Sequence, residues 1–113
     1  MDTKELYILV QNFYGYKIKM LYMNSEKKEV GGILYDSFFV SFDTNDRYGR
    51  FGMGIHCGEY VITEFLGKRC SLNSDKKSIK ESLQIIDDYC RLRLPDKFLE
   101  AYYDAYVLAL YRE

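Results

Sequence analysis

Tryptophan is absent from this 113-residue sequence, and proline and histidine occur once each, as Pro95 and His56. With so little proline, and no repeat, low-complexity tract or Gly/Ser linker, nothing divides the chain, so it reads as a single domain over 1–113. An excess of either charge is also missing: 16 basic residues stand against 17 acidic ones, for a net charge of −1. Nucleic-acid binders draw much of their affinity from neutralised phosphates and carry a basic excess, so direct nucleic-acid recognition is not expected. Long apolar runs are lacking too. The longest, Ala105 to Tyr111, falls far short of the roughly 20 residues a membrane-spanning helix needs. Met1-Asp2-Thr3-Lys4-Glu5 has neither the basic start nor the apolar stretch of a secretion signal. Cys57, Cys70 and Cys90 form an odd, widely spaced set, for which buried, reduced thiols are the default reading in the absence of export. These absences together predict a cytoplasmic protein that makes no use of a membrane.

What the chain does have is aromatic surface. There are 12 Tyr and 7 Phe, within a composition that is 48% apolar and 29% charged, as expected of a globular protein. Tyrosine combines a large apolar ring with a polar tip and serves cores and contact surfaces alike. Nineteen rings are many for one small core, so some are expected at the surface.

The pattern along the chain predicts an α+β fold. Leu6, Leu9, Val10 and Phe13 recur at helical spacing after Asp2 or Thr3, either of which can cap an N-terminal helix running to about 14. Lys17 to Met23 reads equally as a continuation of that helix after Gly15 or as a strand, and Asn24 to Gly32 reads as a loop. Ile33-Leu34-Tyr35 and Phe38 to Phe42 are rich in strand formers, with Phe38, Val40 and Phe42 alternating. Asp43-Thr44-Asn45-Asp46 signals a turn. Phe51, Met53 and Ile55 then alternate with Gly52, Gly54 and His56, and Gly58-Glu59 makes a hairpin turn into Tyr60 to Leu66. Glycines at 52 and 54 are costly in a strand and imply close approach of another group there. The middle of the chain is thus an antiparallel three- to four-stranded meander, packed by the N-terminal helix and two C-terminal helices.

The first of those two helices, capped by Asn73, Ser74 or Asp75, runs to about Leu92. Ile79, Leu83, Ile86, Cys90 and Leu94 form its apolar stripe, Ile85, Tyr89 and Leu92 a shoulder, and Lys80, Gln84, Asp87, Asp88 and Arg91 the opposite, solvated face. Pro95 interrupts it, and Asp96 can cap a second helix from Lys97 to about Tyr111. Lys97, Glu100 and Asp104 define a polar side that ends halfway along, because Leu108 and Tyr111 fall on the same side and Val107 and Leu110 flank it. Those C-terminal turns are either covered by the sheet and the preceding helix, or form a homodimer or partner surface.

Catalytic groups are scarce. His56 adjoins Cys57, but strand neighbours point to opposite faces, which leaves only a Cys70–His56 pairing across a hairpin as a thiol-enzyme alternative. The cysteine spacings lack the close pair typical of zinc sites, Gly52-Met53-Gly54 is no phosphate loop, and Asp87-Asp88 reads as a charged surface. No active site, metal or cofactor is expected.

From Asp46 to Asp104 a further pattern is carried by Arg50-Phe51-Gly52, Gly54-Ile55, Phe65-Leu66-Gly67, Ser71-Leu72-Asn73-Ser74-Asp75 and Tyr89-Cys90-Arg91-Leu92-Arg93-Leu94-Pro95-Asp96-Lys97-Phe98-Leu99. It resembles immunity proteins of bacterial contact-dependent growth inhibition systems, over about half the chain and not in the N-terminal third. The resemblance implies a protein that binds a cognate toxin domain, commonly a nuclease, in the cytoplasm and occludes its active site or substrate groove. Such pairs are highly diversified, so no contact residue carries over from the family. On the residues themselves, the best-placed contact group is Asp43, Asp46, Arg47, Tyr48 and Arg50 at one turn, with Glu59 and Tyr60 at the next, since acidic groups would steer a basic nuclease groove. The plain alternative for each is a solvated turn. A non-catalytic homodimeric scaffold using Val107, Leu108, Leu110 and Tyr111 is the competing functional reading.

Overall fold

Asp2 starts the first helix, α1 (Thr3–Tyr14), by accepting the Glu5 amide on its carboxylate at 2.7 Å. Leu6, Val10 and Tyr14 then fall on one buried stripe. Gly15, at φ +59°, ends the helix where an L side chain would be strained, and a 3₁₀ turn, Gly15–Lys17, leads into the sheet. The computed structural model describes residues 1–45, 50–57, 60–62, 64–65, 68–69 and 75–111, and the side chains at 45, 60–61, 64–65, 68–69 and 107–111 are left aside.

Five strands follow in sequence order as an antiparallel meander: β1 (Ile18–Asn24), β2 (Glu29–Leu34), β3 (Phe38–Asn45), β4 (Arg50–Cys57) and β5 (Tyr60–Ile62). A small separate hairpin joins β6 (Glu64–Phe65) to β7 (Lys68–Arg69). Two helices complete the chain, α2 (Lys76–Arg93) and α3 (Asp96–Tyr111). The α+β architecture is the one the sequence pattern predicts, with the meander longer at its N-terminal end. Lys17 to Met23 resolves in favour of a strand. Asn24 to Gly32, expected as a loop, is a loop only to Lys28. Gly31 and Gly32 belong to β2, where their missing side chains leave room for Tyr22 and for the backbone of Lys19. Within the run from Tyr60 to Leu66, β5 belongs to the five-stranded sheet whereas β6 pairs with β7 in a second one.

The β2–β3 connection is tight. Ser37 donates its amide to the Leu34 carbonyl at 3.1 Å, and both central residues, Tyr35 and Asp36, have φ of 55°. Two left-handed residues in a two-residue turn match the twist of a hairpin, but neither is glycine, so the conformation must be held from outside. Tyr35 shows how. Its ring is fully buried, its amide donates to the Lys17 carbonyl at 2.8 Å, and its hydroxyl donates to Asp87 on α2 at 2.7 Å.

One face of the sheet carries the core. Ile18, Val30, Leu34, Val40, Phe42, Phe51 and Ile55 point inward against Leu6 and Val10 of α1 and Ile79, Leu83 and Ile86 of α2. Tyr14 joins the two helices by donating its hydroxyl to the Leu83 carbonyl at 2.7 Å. Asp75 caps α2 by accepting the Ser78 amide at 3.0 Å, and the Ser78 side chain first and that amide second hold its carboxyl below the usual range. Leu92, expected on the apolar shoulder of α2, is instead exposed, and Asp87, expected on its solvated face, is buried. Asp87 is covered because it is a hub. Besides the Tyr35 hydroxyl it meets the Arg91 guanidinium at 3.1 Å and Lys17 Nζ at 3.9 Å, so the buried charge is compensated. Among the described residues, no helix is long and apolar enough to cross a membrane.

Candidate functional site: the outer face of the sheet

A strand sends alternate side chains to opposite faces, so fixing Val40, Phe42 and Thr44 in the interior sends Phe39, Ser41 and Asp43 outward. Register places Glu29, Gly31 and Ile33 of β2 beside them on one side, and Gly52, Gly54 and His56 of β4 on the other. At β1 the alternation is reset by a bulge between Met20 and Tyr22, which leaves Leu21 exposed and turns Tyr22 to the outer face opposite Gly31.

Three half-buried rings form a strip across this face. Tyr22 lies over Gly31, and its ring stacks with Phe39 at 6.3 Å between centroids and 20° between planes. Phe39 meets the His56 ring edge to face at 4.9 Å and 77°. His56 Nε2 and Ser41 Oγ are hydrogen-bonded at 2.8 Å, which fixes the imidazole on the sheet. A glycine beneath Tyr22 is what lets so large a ring settle onto the strands, because any Cβ at position 31 would collide with it.

Carboxylates flank the strip. Glu29 and Asp43 are directly opposite in the β2–β3 register, and Asp43 reaches over Gly52, where a Cβ would come within 2.5 Å of its Oδ1. Burial first, and the Glu29 charge second, push the Asp43 carboxyl above its usual range. The Tyr22 phenol is pushed up to about 12 by burial, by the charge and hydrogen bond of Glu29, and by the charge of Asp43, so it stays a neutral hydroxyl.

Of the residues favoured from sequence, Asp43 lies on this face and Arg50, exposed at the start of β4, shares it by register. Asp46, Arg47, Tyr48 and Glu59 lie outside the described residues. Tyr60 pairs with Cys57 through its backbone, and Val107, Leu108, Leu110 and Tyr111 sit in the last turns of α3, but the side chains of all five lie outside the described set. Sequence reasoning missed Tyr22, Glu29, Phe39, Ser41 and the placement of His56. The alternation of Val40 and Phe42 held the clue for Phe39 and Ser41; nothing local signalled Tyr22 or Glu29.

The Ser41–His56 contact has the geometry of a nucleophile and its base, but Ser41 is only 8% exposed. It also sits mid-sheet, where β2 and β4 flank its strand on both sides and their ladders take up the backbone amides an oxyanion would need. Cys57, expected to be buried, is exposed at the end of β4 and follows His56 in the strand, so it points away from it, while Cys70 lies outside the described residues. Cys90 is buried, and its thiol is pushed up to about 12 by burial and by Asp87, which keeps it protonated. Among the described residues, no group of three or more His, Cys, Asp or Glu side chains is arranged to hold a metal ion. The outer face thus presents three half-buried rings, an imidazole hydrogen-bonded to Ser41 and two carboxylates on a backbone floor.

A concavity of about 670 Å³ lies between α1 and α2 and is lined by Glu5, Ile8, Leu9, Asn12, Phe13, Lys76 and Lys80. It lies on the helical side of the molecule and brings together no reactive pair. In comparisons with known families, curated proteins and solved structures, this chain matches none.

Proposed function

We propose that this chain is a stoichiometric inhibitor, an immunity protein that binds the toxin domain of a contact-dependent growth inhibition system in the cytoplasm, docking through the outer face of its sheet. The observation that supports this most is the contrast between the two faces: helices bury one, while the other keeps a strip of half-exposed rings flanked by carboxylates. Aromatic side chains on a rigid scaffold are the usual anchors of protein interfaces, because they bring large contact area at little entropic cost. A five-stranded sheet offers enough surface for a standard interface of roughly 800 Å² per partner. The sequence resemblance supplies the identity of the partner, and a nuclease toxin, with its basic substrate groove, suits a face that carries Glu29 and Asp43.

The test is to look beside its gene for a large exported protein with a variable C-terminal domain and to purify the chain with that domain. A 1:1 complex on size exclusion, loss of toxin activity in that complex, and loss of both on replacing Phe39 by Glu are expected. Failure of the two proteins to associate at micromolar concentrations would remove the proposal.

A further inference from the structure

We propose that the Tyr22–Phe39–His56 strip receives an arginine-bearing loop of the partner protein, with one guanidinium stacked on the Tyr22 ring and paired with Glu29 and Asp43. This rests on the reading of the outer face as the docking surface and names the chemistry it selects.

Like charges directly across an antiparallel pair disfavour the fold, yet Glu29 and Asp43 are Cα partners on adjacent strands. Among the described residues neither forms an ion pair: the bridges there involve Asp87 and Asp88. Burial first, and the Glu29 charge second, hold the Asp43 carboxyl above its ordinary range. Among the described residues no cation is paired with either carboxylate, at a place where a partner can supply one.

The geometry favours arginine over lysine. Tyr22 presents a half-exposed ring fixed from below by Gly31 and from the side by Phe39. A planar guanidinium can stack on that ring while its fork of N–H donors spans two carboxylates on neighbouring strands, whereas an ammonium is a single strongly hydrated point. The Tyr22 hydroxyl hydrogen-bonds Glu29, so ring and carboxylate are neighbours on the face. A guanidinium placed there neutralises the repelling pair, so its docking removes a cost that folding alone leaves in place.

The experiment uses the isolated, isotopically labelled protein and three short capped peptides, Gly-Arg-Gly, Gly-Lys-Gly and Gly-citrulline-Gly, followed by NMR titration. Millimolar binding of the arginine peptide is expected, with shifts centred on the amides of Glu29, Gly31, Asp43 and Gly52 and on the Tyr22 ring. The citrulline peptide, isosteric but uncharged, should bind at least about tenfold more weakly, and the lysine peptide should lie between them. The double variant Glu29→Gln with Asp43→Asn keeps shape and polarity and should lose binding by about the same factor, while its amide spectrum stays that of the folded protein. Equal binding of citrulline, undiminished binding by the double variant, or shifts confined to the α1–α2 groove would each overturn the proposal. Calcium ions producing the same shifts where the arginine peptide produces none would overturn it in favour of a metal. The outcome is separable from the toxin test. If the peptides behave as expected and no toxin complex forms, the arginine seat stands and the immunity reading falls. If the double variant binds the toxin domain with undiminished affinity, the seat falls and the immunity reading stands.

Discussion

Gly31 and Gly32 are neighbours on β2 that face opposite sides of the sheet, and each is crowded by something different. A Cβ at Gly32 would come within 2.5 Å of the Lys19 carbonyl oxygen and 3.2 Å of Ile18 Cγ1. A Cβ at Gly31 would meet only the outer atoms of the Tyr22 ring. The inner position is closed by backbone, which the bulged β1 brings up against it, and backbone in a sheet cannot yield without breaking register. The outer position is closed by a side chain with two rotatable bonds, open to solvent above. The same difference runs across the whole sheet: inside, rigid packing that specifies the fold; outside, an adjustable aromatic surface that specifies contacts.

The two glycines offer the sharpest way to break that comparison. Gly32→Ala is expected to destabilise the protein by about 3 kcal/mol, the upper part of the overpacking range, because the clash is with main chain. Gly31→Ala should cost about 1 kcal/mol or less, since the Tyr22 ring can swing away. It should nevertheless disturb the strip, moving the Phe39 and His56 ring resonances and weakening the toxin complex. Urea unfolding of both variants decides it, and equal losses of stability would mean that the outer face is as rigid as the inner one.

The carboxylates extend the contrast. Asp87, inside, has three donors converging on it; Asp43, outside, has another carboxylate opposite. Replacing Tyr35 by Phe removes the hydroxyl that Asp87 accepts while leaving the ring and its packing. The expected loss is about 2 kcal/mol, as for a hydrogen bond to a charged group, with the Arg91 and Lys17 contacts limiting the damage. The left-handed backbone at Tyr35 makes this turn sensitive, so its amide with the Lys17 carbonyl should exchange faster in the variant. Stability unchanged by Tyr35→Phe would show that the ring alone holds the turn.

Which parts of this were legible in the chain follows from how far apart the determining contacts lie. The stripe of Ile79, Leu83, Ile86 and Cys90 on α2, the caps at Asp2 and Asp75, and the inward alternation of Val40 and Phe42 depend on neighbours within a turn or a strand, and periodicity reveals them. β1 did not declare itself, because the bulge at Leu21 breaks the period of two that marks a strand. β2 looked like a loop because its Gly-Gly pair answers to β1, a strand whose register was not yet known. Asp87 was misplaced for the same reason: its helical position is next to polar residues, but Tyr35 and Lys17 arrive from the far end of the chain. At the candidate site, Asp43 and Arg50 are the favoured contact residues with described side chains, and both share the outer face. The ring strip is assembled wholly by register, from residues on three strands that no local pattern links.

Asp43 gives the smallest effect and the one most specific to the outer face. Its carboxyl titrates above its ordinary value of 3.8 in the folded protein, so the fold holds that proton more tightly than the unfolded chain does. The folded state therefore loses stability as pH rises through this window, and is relieved when Asp43 is protonated. Because the residue as a whole is exposed while its carboxyl is only partly covered, solvent limits the burial penalty and salt screens the Glu29 repulsion, and the expected cost at neutral pH is only about 0.5 kcal/mol. Asp43→Asn should consequently be more stable than the native chain by about that amount near neutral pH, and the two should converge at acidic pH below the unfolded carboxyl value. Raising the salt concentration should narrow the gap at neutral pH. A native chain more stable than Asp43→Asn at neutral pH would mean that Asp43 already has a cation of its own, and the outer face would then no longer contrast with the compensated charge at Asp87.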